Sequence, residues 1–211
     1  MTAGARRSLV LCYHAVSPSW KHRLCLEPEL LLRQVRALSR FWNVHATFDD
    51  AYRSAATVFP ALEQLAVSIQ IFACTRFARD GGPLTIPELE GDDPKELATM
   101  TWDDLRGHAD RGITIGSHTV SHAHLTRLSD ADLRHELTDS KDELETELNR
   151  SCDVLAYPYG EHDARVRAAA QTAGYSRAYG LRGRKGDQYA SPRVDLYRRH
   201  TPLRTLLRVL F

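Results

Sequence analysis

Long apolar runs are missing from this chain. No stretch of about 18 or more apolar residues occurs in it, so a membrane-spanning helix is not expected. The opening segment, "MTAGARRSLVLCYHAV", has two arginines but only a short apolar run that passes into Tyr13 and His14, with no A-x-A cleavage pattern. A signal peptide is therefore not expected, and a cytoplasmic location is the default. Excess charge of either sign is missing too: 28 basic residues face 27 acidic ones, so no global field favours nucleic acid or an acidic polymer as partner. Paired cysteines are absent. Cys12, Cys25, Cys74 and Cys152 are scattered without a C-x-x-C, which excludes zinc-ribbon and thioredoxin-type readings. Cys12 and Cys74 sit in apolar runs, where a free thiol behaves as a small hydrophobe. No internal repeat and no low-complexity tract is present.

What is present is an alternation of short apolar runs with longer segments of helical period. At 211 residues the chain can bury one sizeable core, and a single domain over residues 1–211 is expected. Seven runs read as strands: Leu9–Ala15, Val44–Phe48, Ser68–Cys74, Ile113–Ser117, Val154–Tyr159, Ser176–Leu181 and Arg193–Tyr197. Seven strands with helices between them predict an α/β fold, a closed or nearly closed parallel barrel more than an open sheet. Helices are expected over "EPELLLRQVRALSR", over "TWDDLRGHADRG" with Thr101 as N-cap and Gly112 at the end, and over "SDADLRHELTDSKDELETELNR" with Ser129 and Asp132 in capping-box positions. The charged outer face of the last is read as an ordinary solvated surface. Between Arg79 and Thr101 the paired glycines, prolines and acidic residues predict a long surface loop, of the kind that shapes a substrate site.

Three constellations carry chemistry. "TFDD" places Asp49 and Asp50 directly after a strand, at the end of a parallel architecture where reactive groups gather; one aspartate could instead simply cap the next helix. "SHTVSH" sets His118 and His122 four apart after another strand, a spacing that on a helical turn would point both imidazoles at one cation. Two imidazoles and one carboxylate are a ligand set for a catalytic divalent metal, and zinc or a similar first-row ion would fit. His124, two residues on, should point elsewhere. "YPYG" flanks Tyr159 with Pro158 and Gly160, a tight turn whose backbone N–H could hold an oxyanion or could be no more than a rigid corner.

"TFDD", "SHTVSH" and "YPYG", in that order and at these separations, resemble the first three motifs of the polysaccharide deacetylase family, the carbohydrate esterases related to chitooligosaccharide deacetylases. "LCYHAVS" and "AAQTAGYSRAYGL" resemble its short bacterial branch that acts on exopolysaccharides, and the likeness runs from about Val10 to Val194. The resemblance implies a distorted (β/α) barrel of about seven parallel strands that removes N-acetyl groups from N-acetylhexosamine units of an acetylated glycan. It implies Asp49 as general base, Asp50, His118 and His122 as ligands of a divalent metal, most simply Zn²⁺ with Co²⁺ or Ni²⁺ as alternatives, and the Tyr159 N–H as oxyanion donor.

The chain also departs from the family pattern. Ala51 stands where many relatives have glycine, losing easy access to positive φ. Ala156 stands where many have the arginine that orients the base, which opens a second reading, a metal- or glycan-binding domain that has lost catalysis. An amidohydrolase of non-sugar amides is a third. For the general acid, "YRRH" offers His200, although Tyr197 stands where leucine or isoleucine is more usual. His14, Tyr157 and Arg193 are candidates for the substrate cleft; Arg193 and Asp195 could meet the site or pair with each other. The tail "RRHTPLRTLLRVLF" mixes basic and apolar positions, and either peripheral contact with an anionic membrane or packing across the barrel bottom would use it.

Overall fold

The computed structural model describes residues 6–79, 81–183 and 186–210. Its strands are β1 (Ser8–Tyr13), β2 (Ala15–Val16), β3 (Cys25–Leu26), β4 (Asn43–Phe48), β5 (Ser68–Ala73), β6 (Thr114–Ser117), β7 (Val154–Ala156), β8 (Arg177–Gly180), β9 (Ser191–Pro192) and β10 (Val194–Asp195). The helices are α1 (Pro28–Ser39), α2 (Phe59–Gln64), α3 (Thr75–Ala78), α4 (Trp102–Asp110), α5 (Asp130–Leu148), α6 (Ala164–Thr172) and α7 (Pro202–Leu210). Eight strands form one all-parallel sheet in the order β10-β1-β4-β5-β6-β7-β8-β9, and β2 pairs β3 outside it.

The sheet closes through an unusual last stave. β9 pairs with β8 and β10 pairs with β1, yet only Arg193 separates them in the chain. The Arg193 N–H donates to the Gly180 carbonyl at 3.1 Å, and the Leu196 N–H donates to the Cys12 carbonyl at 3.1 Å. One extended stretch therefore changes partners at Arg193 and joins both edges, making a distorted (β/α) barrel with seven staves, as the resemblance implies.

Successive side chains on a strand face opposite ways, so each stave feeds two compartments. Outward positions such as Leu11, Tyr13, Ala46, Phe48, Ile71 and Leu155 build the main core under α1, α2, α4 and α5. Inside the barrel lies a much smaller apolar group, Phe72, Ala156 and Tyr179 with Val10 and Val154. A third cluster, including Trp20, Tyr52, Phe77, Leu84 and Leu97, anchors the 79–101 loop at one side of the mouth. Among its described residues that loop carries a short 3₁₀ turn at Pro87–Leu89 and two isolated bridges, Tyr52 to Thr99 and Pro83 to Ala98.

Both predicted N-caps form: the Thr101 hydroxyl accepts from the Asp104 N–H at 3.2 Å and the Ser129 hydroxyl from the Asp132 N–H at 3.2 Å. The fifth predicted strand is shorter than its apolar run, ending at Ala156, because Pro158 begins a 3₁₀ turn. α7 lies against α1, with Leu206 and Val209 reaching the main core. Among the described residues no helix is long and apolar enough to cross a membrane.

The barrel interior leaves no slack at Gly116. A Cβ there would come within 2.6 Å of the Phe72 ring and 2.7 Å of Val154. Gly116→Ala is expected to cost about 1–3 kcal/mol through overpacking; unchanged urea-denaturation stability would show that the interior can relax.

Candidate active site

The C-terminal ends of the strands are level. Tyr13 lies opposite Phe48, Phe48 opposite Ile71, Ala73 opposite Ser117, and Ala156 opposite Tyr179. The residues just beyond, Asp49, Asp50, His118 and the Tyr157–Gly160 turn, therefore surround one mouth.

The two aspartates separate there. Asp49 continues the line of β4, its N–H bonded to the Tyr13 carbonyl at 2.9 Å, and its side chain faces the barrel interior. Arg193 grips it as a fork, Nη1 to Oδ1 at 2.6 Å and Nη2 to Oδ2 at 2.8 Å. The same Nη1 donates to the Thr47 hydroxyl at 3.0 Å, while that hydroxyl donates to the Leu11 carbonyl at 2.9 Å. The Cys12 thiol donates to Asp49 Oδ2 at 3.4 Å; burial pushes this thiol up, so it stays protonated. Burial by itself would raise the Asp49 carboxyl, but the guanidinium overcomes it and holds the group well below the usual carboxylate range. The guanidinium also lies over the rings of Phe72 and Tyr179, 5.4 and 5.9 Å from their centroids.

Asp50 turns the other way, at φ 65°. Its Oδ1 stands 3.5 Å from His118 Nε2 and 3.3 Å from His122 Nε2, and all three residues are buried. The tautomer of His118 follows from its surroundings: its Nδ1 lies 2.7 Å from the Ala156 carbonyl, which can only accept, so the proton is on Nδ1 and Nε2 offers a lone pair. Among the described residues Asp50 Oδ1 is buried without a hydrogen-bond partner, and so is His122 Nδ1. Burial pulls both imidazoles down to about 4, keeping them neutral, and pushes the Asp50 carboxyl up. A carboxylate and two imidazoles converging in a buried place could hold a cation. The spacing fits one: ligands about 2.1 Å from a four-coordinate ion stand about 3.4 Å apart.

The histidine pair converges by a route different from the predicted helical turn. Residues 118–124 are irregular, with Thr119 at φ 73° and His122 at φ 63°. Glu136 of α5 braces this loop from below, accepting from the Val120 and Ser121 N–H groups at 2.9 and 3.0 Å. Among the described residues, five of the seven non-glycine residues with positive φ, namely Asp50, Ala51, Thr119, His122 and Tyr159, belong to these turns. Such strain is held only where surrounding contacts fix it.

The other expected residues divide. His14 is half-buried, with a ring nitrogen in the same 4.8 Å group as Cys12 Sγ and an Asp49 oxygen. Tyr159 takes φ 60°, its ring 4.6 Å from that of His122 and its hydroxyl bonded to Glu88 of the 79–101 loop at 3.1 Å. His124 stacks on Tyr159 at 3.8 Å and stays out of the Asp50 group, as its position in the motif requires.

Three expectations are corrected. Tyr157 is fully buried with its hydroxyl on the Tyr189 carbonyl, so it is a core residue and not a cleft residue. Arg193 is buried and committed to Asp49, and it does not pair with Asp195, whose partner is Arg208. His200 turns away from the mouth: its Nδ1 accepts from the Tyr197 N–H at 3.0 Å, and its carbonyl accepts from Gln34 of α1.

Sequence reading missed Glu136, although a signal existed: Leu133, Leu137, Ser140 and Leu144 set the buried stripe of α5, and Glu136 lies within it. Cys12, a small hydrophobe by its sequence context, donates its thiol to Asp49, and nothing in that context signals the contact.

A distorted (β/α) barrel with an acid–imidazole cluster at its strand ends is the class that the fold and site define. The chain belongs to the polysaccharide deacetylase family, whose model matches residues 42–178. YxkH of Bacillus subtilis (strain 168), named for the same family, is 25% identical over 153 residues, which cover 70% of this chain and 49% of YxkH. The chain thus spans about half the length of that curated relative. Among solved structures it is similar to the Streptococcus pyogenes deacetylase PplD in complex with acetate (TM-score 0.78, 19% identity, 97% of this chain and 98% of that one). It is also similar to IcaB from Ammonifex degensii (TM-score 0.75, 19% identity, 97% of each chain). At such identities these two establish the shared fold. Arg193 and His14 lie outside the matched residues 42–178.

Three predictions test this geometry. Arg193→Met leaves a buried carboxylate unpaired and is expected to destabilise the protein by about 3–5 kcal/mol, while adding Asp49→Asn recovers most of it; additive losses in urea denaturation would refute the coupling. Because the folded Asp49 lies below its unfolded value of about 3.9, its contribution is present above that pH and fades as pH falls below it. The Arg193→Met/Asp49→Asn protein should therefore lose less stability than wild type between about pH 4 and pH 2.5. Ala51, at φ 50°, should also gain from glycine: Ala51→Gly is expected to raise stability by roughly 1 kcal/mol, read as a higher denaturation midpoint.

Proposed function

We propose that this chain is a metal-dependent hydrolase that removes the acetyl group from an N-acetylhexosamine unit of an acetylated glycan. The observation that carries the reading is the opposed setting of the adjacent aspartates: Asp49 is clamped by Arg193, while Asp50 faces His118 and His122. Asp50, His118 and His122 would hold the divalent ion, with zinc the simplest choice for one carboxylate and two imidazoles. Bound there, the ion supplies Lewis acidity to the acetamide carbonyl and makes a nearby water more acidic.

The chain's own residues complete the reaction. Asp49 accepts the proton of the attacking water as the new C–O bond forms. Arg193 and the Cys12 thiol together occupy Oδ2, while among the described residues Oδ1 carries only its fork bond and keeps a lone pair for the proton. The clamp keeps Asp49 ionised and makes it a weak base. The Tyr159 N–H, in its strained turn, is the donor for the developing oxyanion. His14, half-buried beside Asp49, is the group we assign to protonate the leaving nitrogen as the C–N bond breaks, giving acetate and a free amine. The missing arginine at position 156 no longer argues for lost catalysis, since Arg193 brings a guanidinium to the base from another strand.

Acetate release from acetylated chito-oligosaccharides with added Zn²⁺, Co²⁺ or Ni²⁺, alongside metal analysis after dialysis, tests the assignment. Asp49→Asn is expected to keep the metal and lose turnover by about 10²–10⁴-fold, and His118→Ala to lose both. Full activity of Asp49→Asn on every substrate the wild type cleaves would overturn the role of the base. Metal bound but no acetate released from any amide or ester would overturn the activity.

A further inference from the structure

The charge of this nearly neutral chain is unevenly spread. From Leu196 to Phe211 there are four arginines, Arg198, Arg199, Arg204 and Arg208, and no acidic residue. Two of them join Arg23, Asp195 and Tyr197 around a cavity of about 510 Å³. The acidic group of that cavity is already engaged, since Asp195 is paired with Arg208. Arg198 contacts Glu27, and the Arg199 guanidinium lies over the Tyr197 ring at 5.3 Å. Among the described residues neither Arg23 nor Arg199 has a carboxylate partner in an ion pair, and both are exposed.

The cavity adjoins the proposed catalytic mouth. Its Asp195–Arg199 wall follows directly from β10, and Leu196 within it is bonded to Cys12, two residues before His14. Asp195 also lines a second cavity, of about 640 Å³, whose wall includes Tyr159 and Gly160. A substrate with its acetamide at Asp49 and Asp50 could therefore extend an anionic group toward the arginines.

We propose that this cavity is a phosphoryl subsite, with Arg23 and Arg199 as its ligands, and that the glycan taken at the site is a glycosyl phosphate or diphosphate. This rests on the deacetylase reading above. Guanidinium forks match the oxygens of a phosphoryl group, and more than one uncompensated guanidinium around one cavity suits a group with more than one negative charge better than a single carboxylate. The adjoining helix α7 exposes Leu203 and Leu207, one turn apart, at 67% and 47%. An apolar ridge flanked by Arg204 and Arg208 favours a lipid-linked source for the phosphoryl group over a soluble sugar phosphate.

Binding of inorganic pyrophosphate, followed by ³¹P NMR on the full chain carrying His118→Ala so that metal chelation does not intrude, tests the subsite without any need for activity. The expected result is saturable binding that Arg23→Gln/Arg199→Gln weakens at least tenfold; no binding, or equal affinity in both proteins, overturns it. In the otherwise wild-type enzyme with zinc, the arginine variant should raise KM at least tenfold more for a prenyl-diphosphate-linked N-acetylglucosamine in phosphatidylcholine vesicles than for a neutral chito-oligosaccharide. Equal effects on both substrates overturn the proposal. Leu203→Ser/Leu207→Ser should weaken turnover of the prenyl-linked substrate alone; equal loss with a nucleotide-diphosphate sugar overturns the lipid source. A protein that binds pyrophosphate through these arginines but releases acetate from nothing sinks the deacetylase reading and leaves the subsite standing.

Discussion

The ion pair between Arg193 and Asp49 is the constraint on which the rest of the site depends. Both partners are buried, and neither charge could remain there alone. The pair forms only because the last stave changes neighbours at Arg193, giving its N–H to β8 and the following residues to β1. Barrel closure and the setting of the candidate base are thus one event. The Phe72 and Tyr179 rings, with Ala156 beside them, leave the guanidinium a slot across the barrel that a larger residue at 156 would narrow.

The second constraint is local strain. Two adjacent aspartates can serve different tasks only if the backbone turns sharply between them, and Asp50 and Ala51 at positive φ are that turn. The histidine loop uses the same device at Thr119 and His122, braced by Glu136, and the Tyr159 turn uses it again. Hydrogen bonds such as His118 N–H to the Ala73 carbonyl, at 2.9 Å, fix these turns against relaxation. Such backbone is unfavourable in isolation, so the surrounding barrel must supply the stability that keeps it in place.

Much of this was legible in the sequence. Hydrophobic alternation located the staves, and the N-caps at Thr101 and Ser129 formed as their residue types require. "TFDD" and "SHTVSH" marked the residues that now converge. What the sequence obscured follows from side-chain direction at strand ends. Tyr157 and Tyr159 are two apart in one motif, yet one hydroxyl lies in the core and the other at the mouth, because the turn at Pro158 reverses the alternation. His200 looked like a late catalytic histidine, but the chain after β10 folds its ring back onto its own Tyr197 N–H.

The sequence by itself determined the order of staves and helices, the presence of a carboxylate pair and an imidazole pair after strands, and the family to which they point, because those features rest on local pattern and composition. Only the tertiary structure decided that Arg193 brings a guanidinium to Asp49, that Asp50 reaches the imidazoles, as the resemblance implies, through a turn at positive φ, and that a ring nitrogen of His14 lies beside Asp49. Those outcomes depend on contacts between distant residues, such as Arg193 and Asp49, 144 positions apart in the chain, which barrel closure brings together and no local pattern encodes.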